Sequence, residues 1–418
     1  MIIVITNRNL PVIPNKLPVD INVSSLGVDL GAKVDNHDRI FTGEFLPNFN
    51  NNLQYSKLTF QPKGSESEIF EKITPDELAK PWVFFVHGFH QDPTENIGKA
   101  IALQNNHNVN VIVFAWPSRP LDQTVSWGVA LKPGVRNALN GMTWGGVLSG
   151  AFLNKIKGEI KDKWNNYPPA IANAEKSNVD LIAALKLIKD QLNSEQPPVL
   201  LVHSMGNYLL ENAMKNINEL PILFNNIVLH EADATVPGFD WVKKLNANLA
   251  DNNRSRLYIT TNEEDYILLG SKGRRAILKK TGELRGNAST ERLGRYIENH
   301  VLGDIYYLDF SYGEFINDEH EFFKLGSTMT NPHVHACLGR IFRAEGDELP
   351  TIKEESNAGF TKMPADAHLY RLEEVIHITD LDERREDILP VKSLDEFKKQ
   401  QKTNNNLDDE DMFGSYDM

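Results

Sequence analysis

Three observations predict an α/β chain built on a mostly parallel, doubly wound sheet with helices on both faces. The run Val199 to Val202 is apolar at every position and too short for a helix, which fits a strand buried on both sides. The segment from Pro81 to His90 is a second such strand, running straight into His87-Gly88, and Val109 to Trp116 is a third, ending in Pro117-Ser118. Behind the first of these strands, Leu209, Leu210, Ala213, Met214 and Ile217 recur at helical spacing, so strand, sharp turn and helix follow one another as in a wound sheet.

In chain order, residues 1–80 carry short strand-like pieces, Ile2 to Thr6, Arg39 to Thr42 and Lys57 to Phe60. They are separated by turn-rich stretches such as Asn48 to Asn52, and are expected to be edge strands. A helix is expected from Thr94 or Glu95, between the strands at Pro81 and Val109. Over 119–167 the alternation lapses into an insertion containing Gly141 to Leu153, rich in glycine, tryptophan and aliphatics. It reads either as a lid over an apolar pocket or as a helical hairpin packed on a sheet edge or in a dimer interface.

Helical spacing resumes near Ile171, with Ile182, Leu185, Ile188 and Leu192 on one face. Further strands are expected at Asn226 to His230, Arg256 to Thr261 and Asp304 to Phe310, with helices near Trp241 to Leu249 and from Asn331-Pro332. The core is thus expected over 81–345. A C-terminal extension over 346–418 ends in a polar, acidic tail expected to be disordered.

A chain of 418 residues has room for one large domain with insertions, and its formal charge of −13 argues against a nucleic-acid surface and against anionic lipid headgroups. A small-molecule or lipid substrate is expected instead. The single cysteine, Cys337, excludes an intrachain disulfide, and no His-x-x-x-His or Cys-x-x-Cys spacing supports a metal. The N-terminus reads as a first strand rather than a secretory signal, and no apolar run approaches the roughly 20 residues of a membrane-spanning helix. A cytoplasmic protein without a cofactor is the expectation.

The chemistry gathers at His203-Ser204-Met205-Gly206-Asn207. A strand-to-helix turn projects the serine hydroxyl at the carboxyl end of the sheet and aims the first helix amides beside it, as in the Gly-x-Ser-x-Gly nucleophile elbow. Gly206 fits that pattern and Val202 departs from it; an N-cap serine opening a helix is the plainer alternative. A nucleophilic serine needs a histidine base and an acid to orient that base. The order serine, acid, histidine is met by Ser204, then Asp233 or Asp265, then His320. His87 and His203 flank the serine and are read as hydrogen-bonding within their loops. The basic stretch Lys272 to Arg275, with Lys279 and Lys280, is read as a solvated helix face.

Four pieces together resemble the α/β-hydrolase superfamily, and within it a bacterial group of serine-hydrolase-like proteins largely of unknown function. They are Phe85-Val86-His87-Gly88-Phe89, Phe114-Ala115-Trp116-Pro117-Ser118, His203-Ser204-Met205-Gly206-Asn207 and Glu291-Arg292-Leu293-Gly294. The resemblance covers about residues 80–345 apart from the insertion. It implies Ser204 as nucleophile, His320 as base and the backbone amides of Phe89 and Met205 as oxyanion hole. It favours Asp265 over Asp233 as the acid, with Glu263 and Glu264 as lesser candidates. The expected activity is cleavage of an acyl ester, esterase or lipase-like, through an acyl-enzyme. The alternative is a hydrolase fold retained as a binding or scaffolding module.

Overall fold

A computed structural model describes residues 1–10, 14, 16–22, 40–46, 57–62, 64–118, 167–235, 240–250, 254–263, 265, 267–268, 271–272, 292–295, 305–311, 320–321, 323, 332–345, 358–362 and 369–374. Gly141 to Leu153, the acidic tail and most of the basic stretch beginning at Lys272 lie outside the described residues.

Twelve described strands form one sheet: β1 (Ile2–Thr6), β2 (Val19–Asn22), β3 (Phe41–Leu46), β4 (Lys57–Phe60), β5 (Trp82–Val86), β6 (Asn110–Ala115), β7 (Val199–His203), β8 (Asn226–His230), β9 (Arg256–Thr261), β10 (Tyr306–Asp309), β11 (Ala358–Lys362) and β12 (Leu369–Glu374). They lie in the order β11-β12-β10-β9-β8-β7-β5-β6-β1-β3-β4-β2. The stretch from β12 to β1 is parallel throughout, and the antiparallel pairs are confined to β11 at one end and β3, β4 and β2 at the other.

Helices fill both faces, as a doubly wound sheet requires. They are α1 (Ser67–Glu71), α2 (Pro75–Leu78), α3 (Pro93–His107), α4 (Tyr167–Gln191), α5 (Gly206–Asn216), α6 (Asp240–Leu245) and α7 (Pro332–Phe342). Successive residues of a strand face opposite sides, so β5 gives Trp82, Phe84 and Val86 to one core and Val83 and Phe85 to the other. The first core is closed by α4, α5 and α6 through Leu181, Leu185, Leu209 and Trp241. The second is closed by α3 and α7 through Ile97, Leu103, Val334, Leu338 and Phe342. Each such side chain contributes roughly 1.5–3 kcal/mol of burial free energy, which is why β5 is apolar at every position.

Two expectations need correction, and one region gains strands. The first strand, β1, is not an edge strand: it pairs in parallel with β6 and antiparallel with β3, and all five of its residues are buried. Its run Ile2-Ile3-Val4-Ile5 supplies both faces, which an edge strand beside water would not need. The expected helix at Trp241 to Leu249 stops at Leu245 and continues as a single tight 3-10 turn, Asn246–Asn248. The C-terminal extension holds two strands, β11 and β12, of which β12 joins the parallel sheet beside β10. The other elements fall close to their expected places. Helix α3 starts at Pro93 because Asp92 and Glu95 form a capping box, each side chain accepting the other's backbone amide.

Candidate active site

The serine elbow is held by its neighbours on both sides. Ser204 lies between β7 and α5 at φ 51°, a left-handed conformation that costs a non-glycine residue on the order of 1–3 kcal/mol. Hydrogen bonds fix it there. The Ser204 amide donates to His230 O at the end of β8 (3.0 Å), and Ser204 O accepts from the Asp233 amide (3.1 Å), the Asn207 amide (3.0 Å) and Asn207 Nδ2 (3.1 Å). Asn207 Nδ2 also donates to Val202 O at 2.9 Å, so one buried amide side chain staples both limbs of the turn. Val202 itself is fully buried in the core, which accommodates its departure from glycine.

Two glycines explain how three loops converge. A methyl group on Gly206 would lie 2.8 Å from His87 O and 2.9 Å from Val86 O, so its absence lets α5 start against the end of β5. A methyl group on Gly88 would lie 2.7 Å from Ser204 Cβ and 3.0 Å from His203 Nδ1. The β5–α3 loop therefore passes directly against the serine. Among the described residues, no acceptor is bonded to the backbone amide of Phe89 or Met205. The loop is fixed from behind: Trp116 Nε1 donates to His87 O (2.8 Å) and stacks on the His87 ring, while Phe89 packs edge-on to Tyr167.

His320 is brought to this corner. Its Nδ1 hydrogen-bonds Asp265 Oδ2, and its carbonyl accepts from His203 Nε2 at 2.9 Å. The next residue, Glu321, pairs with Lys99 of α3 and accepts from Gln91 Nε2 (2.8 Å), which tethers the loop to the opposite face of the sheet. Among the described residues His320 Nε2 has no hydrogen-bond partner. Burial disfavours the imidazolium, but the charge and hydrogen bond of Asp265, helped by Glu321 and Asp233, outweigh it and raise the His320 pKa.

The two candidate acids have different partners. Asp265 follows β9, is fully buried, and its Oδ1 accepts the amides of Ile267 (2.8 Å) and Leu268 (3.1 Å), leaving Oδ2 for His320. Asp233 follows β8 and accepts from Tyr167 OH (2.9 Å) and Ser271 Oγ (2.6 Å), beside the buried Arg292 guanidinium at 3.4 Å. Of the lesser candidates, Glu263 engages through its backbone, its amide donating to Ser311 Oγ and its carbonyl accepting from Arg295, and Glu264 lies outside the described residues. His87 and His203 hydrogen-bond within the loops, and burial drives both pKa values well below the ordinary value.

A residue that sequence reasoning passed over is Glu231, directly after β8. It is fully buried, it adopts φ 42°, and its carboxyl group lies within 4.8 Å of the Asp265 carboxylate. Glu231, Asp265 and His320 offer ligand atoms within 4.8 Å of one another, a spacing that would suit a cation. The direct His320–Asp265 hydrogen bond leaves no space for an ion between those two atoms, and Asp265 Oδ1 is already taken by two amides, so the donor set fits a hydrogen-bonded chain better than a metal centre. Asn207 was passed over as well, since nothing in its spacing distinguishes it from an ordinary first-turn helix residue.

A parallel, doubly wound sheet with a strained serine at a strand-to-helix turn, and a histidine bonded to a carboxylate on the neighbouring loops, defines an α/β hydrolase. Residues 63–294, more than half of the chain, match the family described as alpha/beta hydrolase of unknown function (DUF900), and the chain belongs to that family. Comparisons with curated proteins and with solved structures returned no match.

Proposed function

We propose that the protein is a serine hydrolase that cleaves an acyl ester through Ser204, His320 and Asp265. The observation that carries this reading is the polarity of His320: Nδ1 is committed to a buried carboxylate whose other oxygen is pinned by two amides, while Nε2 is left to act as a base. Ser204 Oγ attacks the ester carbonyl as His320 Nε2 takes its proton. The Phe89 and Met205 amides receive the oxyanion, and His320 returns the proton to the leaving alkoxide as the C–O bond breaks. Water activated by His320 then hydrolyses the acyl-enzyme and restores Ser204.

A binding or scaffolding module is the second reading. It is favoured by the absence, among the described residues, of a hydrogen bond to His320 Nε2. Unliganded catalytic hydrogen bonds are often long, so this does not outweigh the ordered His320–Asp265 pair. Labelling with a fluorophosphonate probe separates the two readings. Ser204 is expected to be modified, with the Ser204→Ala protein unlabelled and nitrophenyl-ester turnover lost in parallel. Equal labelling of both proteins, or an unlabelled wild type, would refute the hydrolase reading.

A further inference from the structure

The motif Arg292-Leu293-Gly294 sits against the residue that sequence reasoning missed. Gly294 donates to Ala232 O (3.0 Å) and its carbonyl accepts the Asn262 amide (3.0 Å), so one short segment bridges the loops after β8 and β9. A methyl group on Gly294 would lie 2.1 Å from Ala232 N and 2.4 Å from the Glu231 carbonyl carbon, so the backbones touch at a distance only glycine permits. Glu231 is therefore clamped in its left-handed conformation from one side. From the other, Thr260 Oγ1 on β9 accepts its amide (3.0 Å) and lies 3.4 Å from its Oε1. This arrangement holds a fully buried carboxyl group within 4.8 Å of the Asp265 carboxylate.

Two fully buried carboxyl groups within 4.8 Å of one another disfavour each other's ionisation, so one of them is held neutral. Asp265 is the one that must carry the charge. An ionised carboxylate offers about four lone-pair sites; the Ile267 and Leu268 amides and His320 Nδ1 fill three, and the Glu231 carboxyl group, whose Oε2 has no other partner among the described residues, lies within 4.8 Å. We infer that Glu231 is a positioning residue of the site: as a neutral carboxylic acid it donates a hydrogen bond to Asp265 and, with the two loop amides, fixes the carboxylate oxygen that faces His320. The surroundings agree. Burial first, then the negative charges of Asp265 and of Asp309 at the end of β10, push the Glu231 pKa well above the ordinary value, and its chain neighbour His230 is held neutral by burial. The inference rests on His320 being the base, and a test that does not require turnover keeps the two ideas separate.

That test is the His320 titration followed by NMR on protein labelled with ¹⁵N-histidine, the signal being identified by its loss in His320→Gln. Glu231→Gln keeps a neutral donor, so the His320 pKa is expected to stay within about half a unit of the wild type. Glu231→Leu removes the donor, leaves Asp265 more basic, and is expected to raise the His320 pKa by about one unit. Fluorophosphonate labelling of Ser204 is expected to be about tenfold slower in Glu231→Leu than in Glu231→Gln. A fall of more than about one unit in Glu231→Gln would mean that Glu231 is ionised in the wild type, and would overturn the inference. So would Glu231→Leu titrating and labelling as the wild type does. If Glu231→Leu does not fold, the ¹³C shift of the Glu231 carboxyl decides: a protonated signal at neutral pH supports the inference and an ionised one overturns it. A wild type that no probe labels would defeat the hydrolase reading alone, with the titrations still deciding the role of Glu231.

Discussion

Replacing Asp265 with asparagine probes the site at its most determined point. Asp265 Oδ1 accepts the amides of Ile267 and Leu268, at 2.8 and 3.1 Å. An asparagine there must keep its oxygen towards those two donors, because the flipped amide would set N–H against N–H twice. Its NH₂ then faces His320 Nδ1, which has to accept instead of donate. The ring proton moves to Nε2, the base loses its lone pair on the Ser204 side, and serine reactivity is expected to fall about a thousand- to ten-thousand-fold. The second-order rate of fluorophosphonate labelling, measured near pH 8, reads this loss directly. Asp233→Asn is the control. It removes the negative charge facing buried Arg292, at a cost on the order of 3 kcal/mol and a fall in Tm of about 10 °C, yet folded molecules are expected to label within about threefold of the wild type. The reverse pattern, with Asp233→Asn unreactive but folded and Asp265→Asn reactive, would refute the argument.

Further outcomes follow from the same geometry. The His320 pKa is raised and only the neutral ring accepts a proton, so labelling of the wild type should increase with pH through a midpoint above 6.5; a midpoint at or below that value would break the coupling to Asp265. His87, His107, His203 and His230 have lowered pKa values, His107 reaching about 4, so their contribution to stability is complete above pH 6.5 and is lost as the pH falls. His320 and Glu231, with raised values, act oppositely with one proton each. The four outnumber them, and unfolding free energy measured by denaturant titration should drop between pH 6.5 and 5, by about 1.4 kcal/mol per pH unit for each net proton taken up on unfolding. Gly88→Ala places a methyl group against Ser204 Cβ, and labelling should fall about a hundredfold while the circular dichroism spectrum is kept. Gly294→Ala cannot fit against Ala232 N, so amides of the loops after β8 and β9 should exchange hydrogen faster while those of β5 and β7 stay protected; unchanged exchange in those loops would count against the clamp.

Much of this was legible because it depends on local pattern. The runs Trp82 to Val86, Val111 to Ala115, Val199 to Val202 and Ile227 to Leu229 are apolar at every position, and that pattern alone marks strands buried on two faces. The glycines at 88 and 206 and the serine between strand and helix mark the elbow. What was not legible depends on which loop lies beside which. The run Ile2 to Ile5 reports burial on both faces but not which strands lie on either side, and only pairing with β6 and β3 makes it interior. Asp233 and Asp265 both follow strands, and their roles part only through partners far along the chain: Tyr167, Ser271 and Arg292 for one, His320 for the other. Glu231 carried no signal at all, since an acid at the end of a strand is ordinary unless a second carboxyl group is known to face it.

The strained backbone positions tie these facts together. Ser204 at φ 51° and Glu231 at φ 42° follow adjacent strands, β7 and β8, and each depends on the other's loop. The Ser204 amide is satisfied by the carbonyl of His230, and the Ser204 carbonyl by the amide of Asp233, so the residues on either side of Glu231 hold the serine. The loop that carries Glu231 is held in turn by Gly294 and by Asp233, whose side chain is anchored on Tyr167 and Arg292. Asp233 thus supports the site through its backbone and its buried ion pair, with Tyr167, Ser271 and Arg292 as its side-chain partners. The same reasoning explains why Arg292 is fully buried: its charge compensates Asp233, and the Asp233 amide in turn holds Ser204 in a conformation that its own local sequence disfavours.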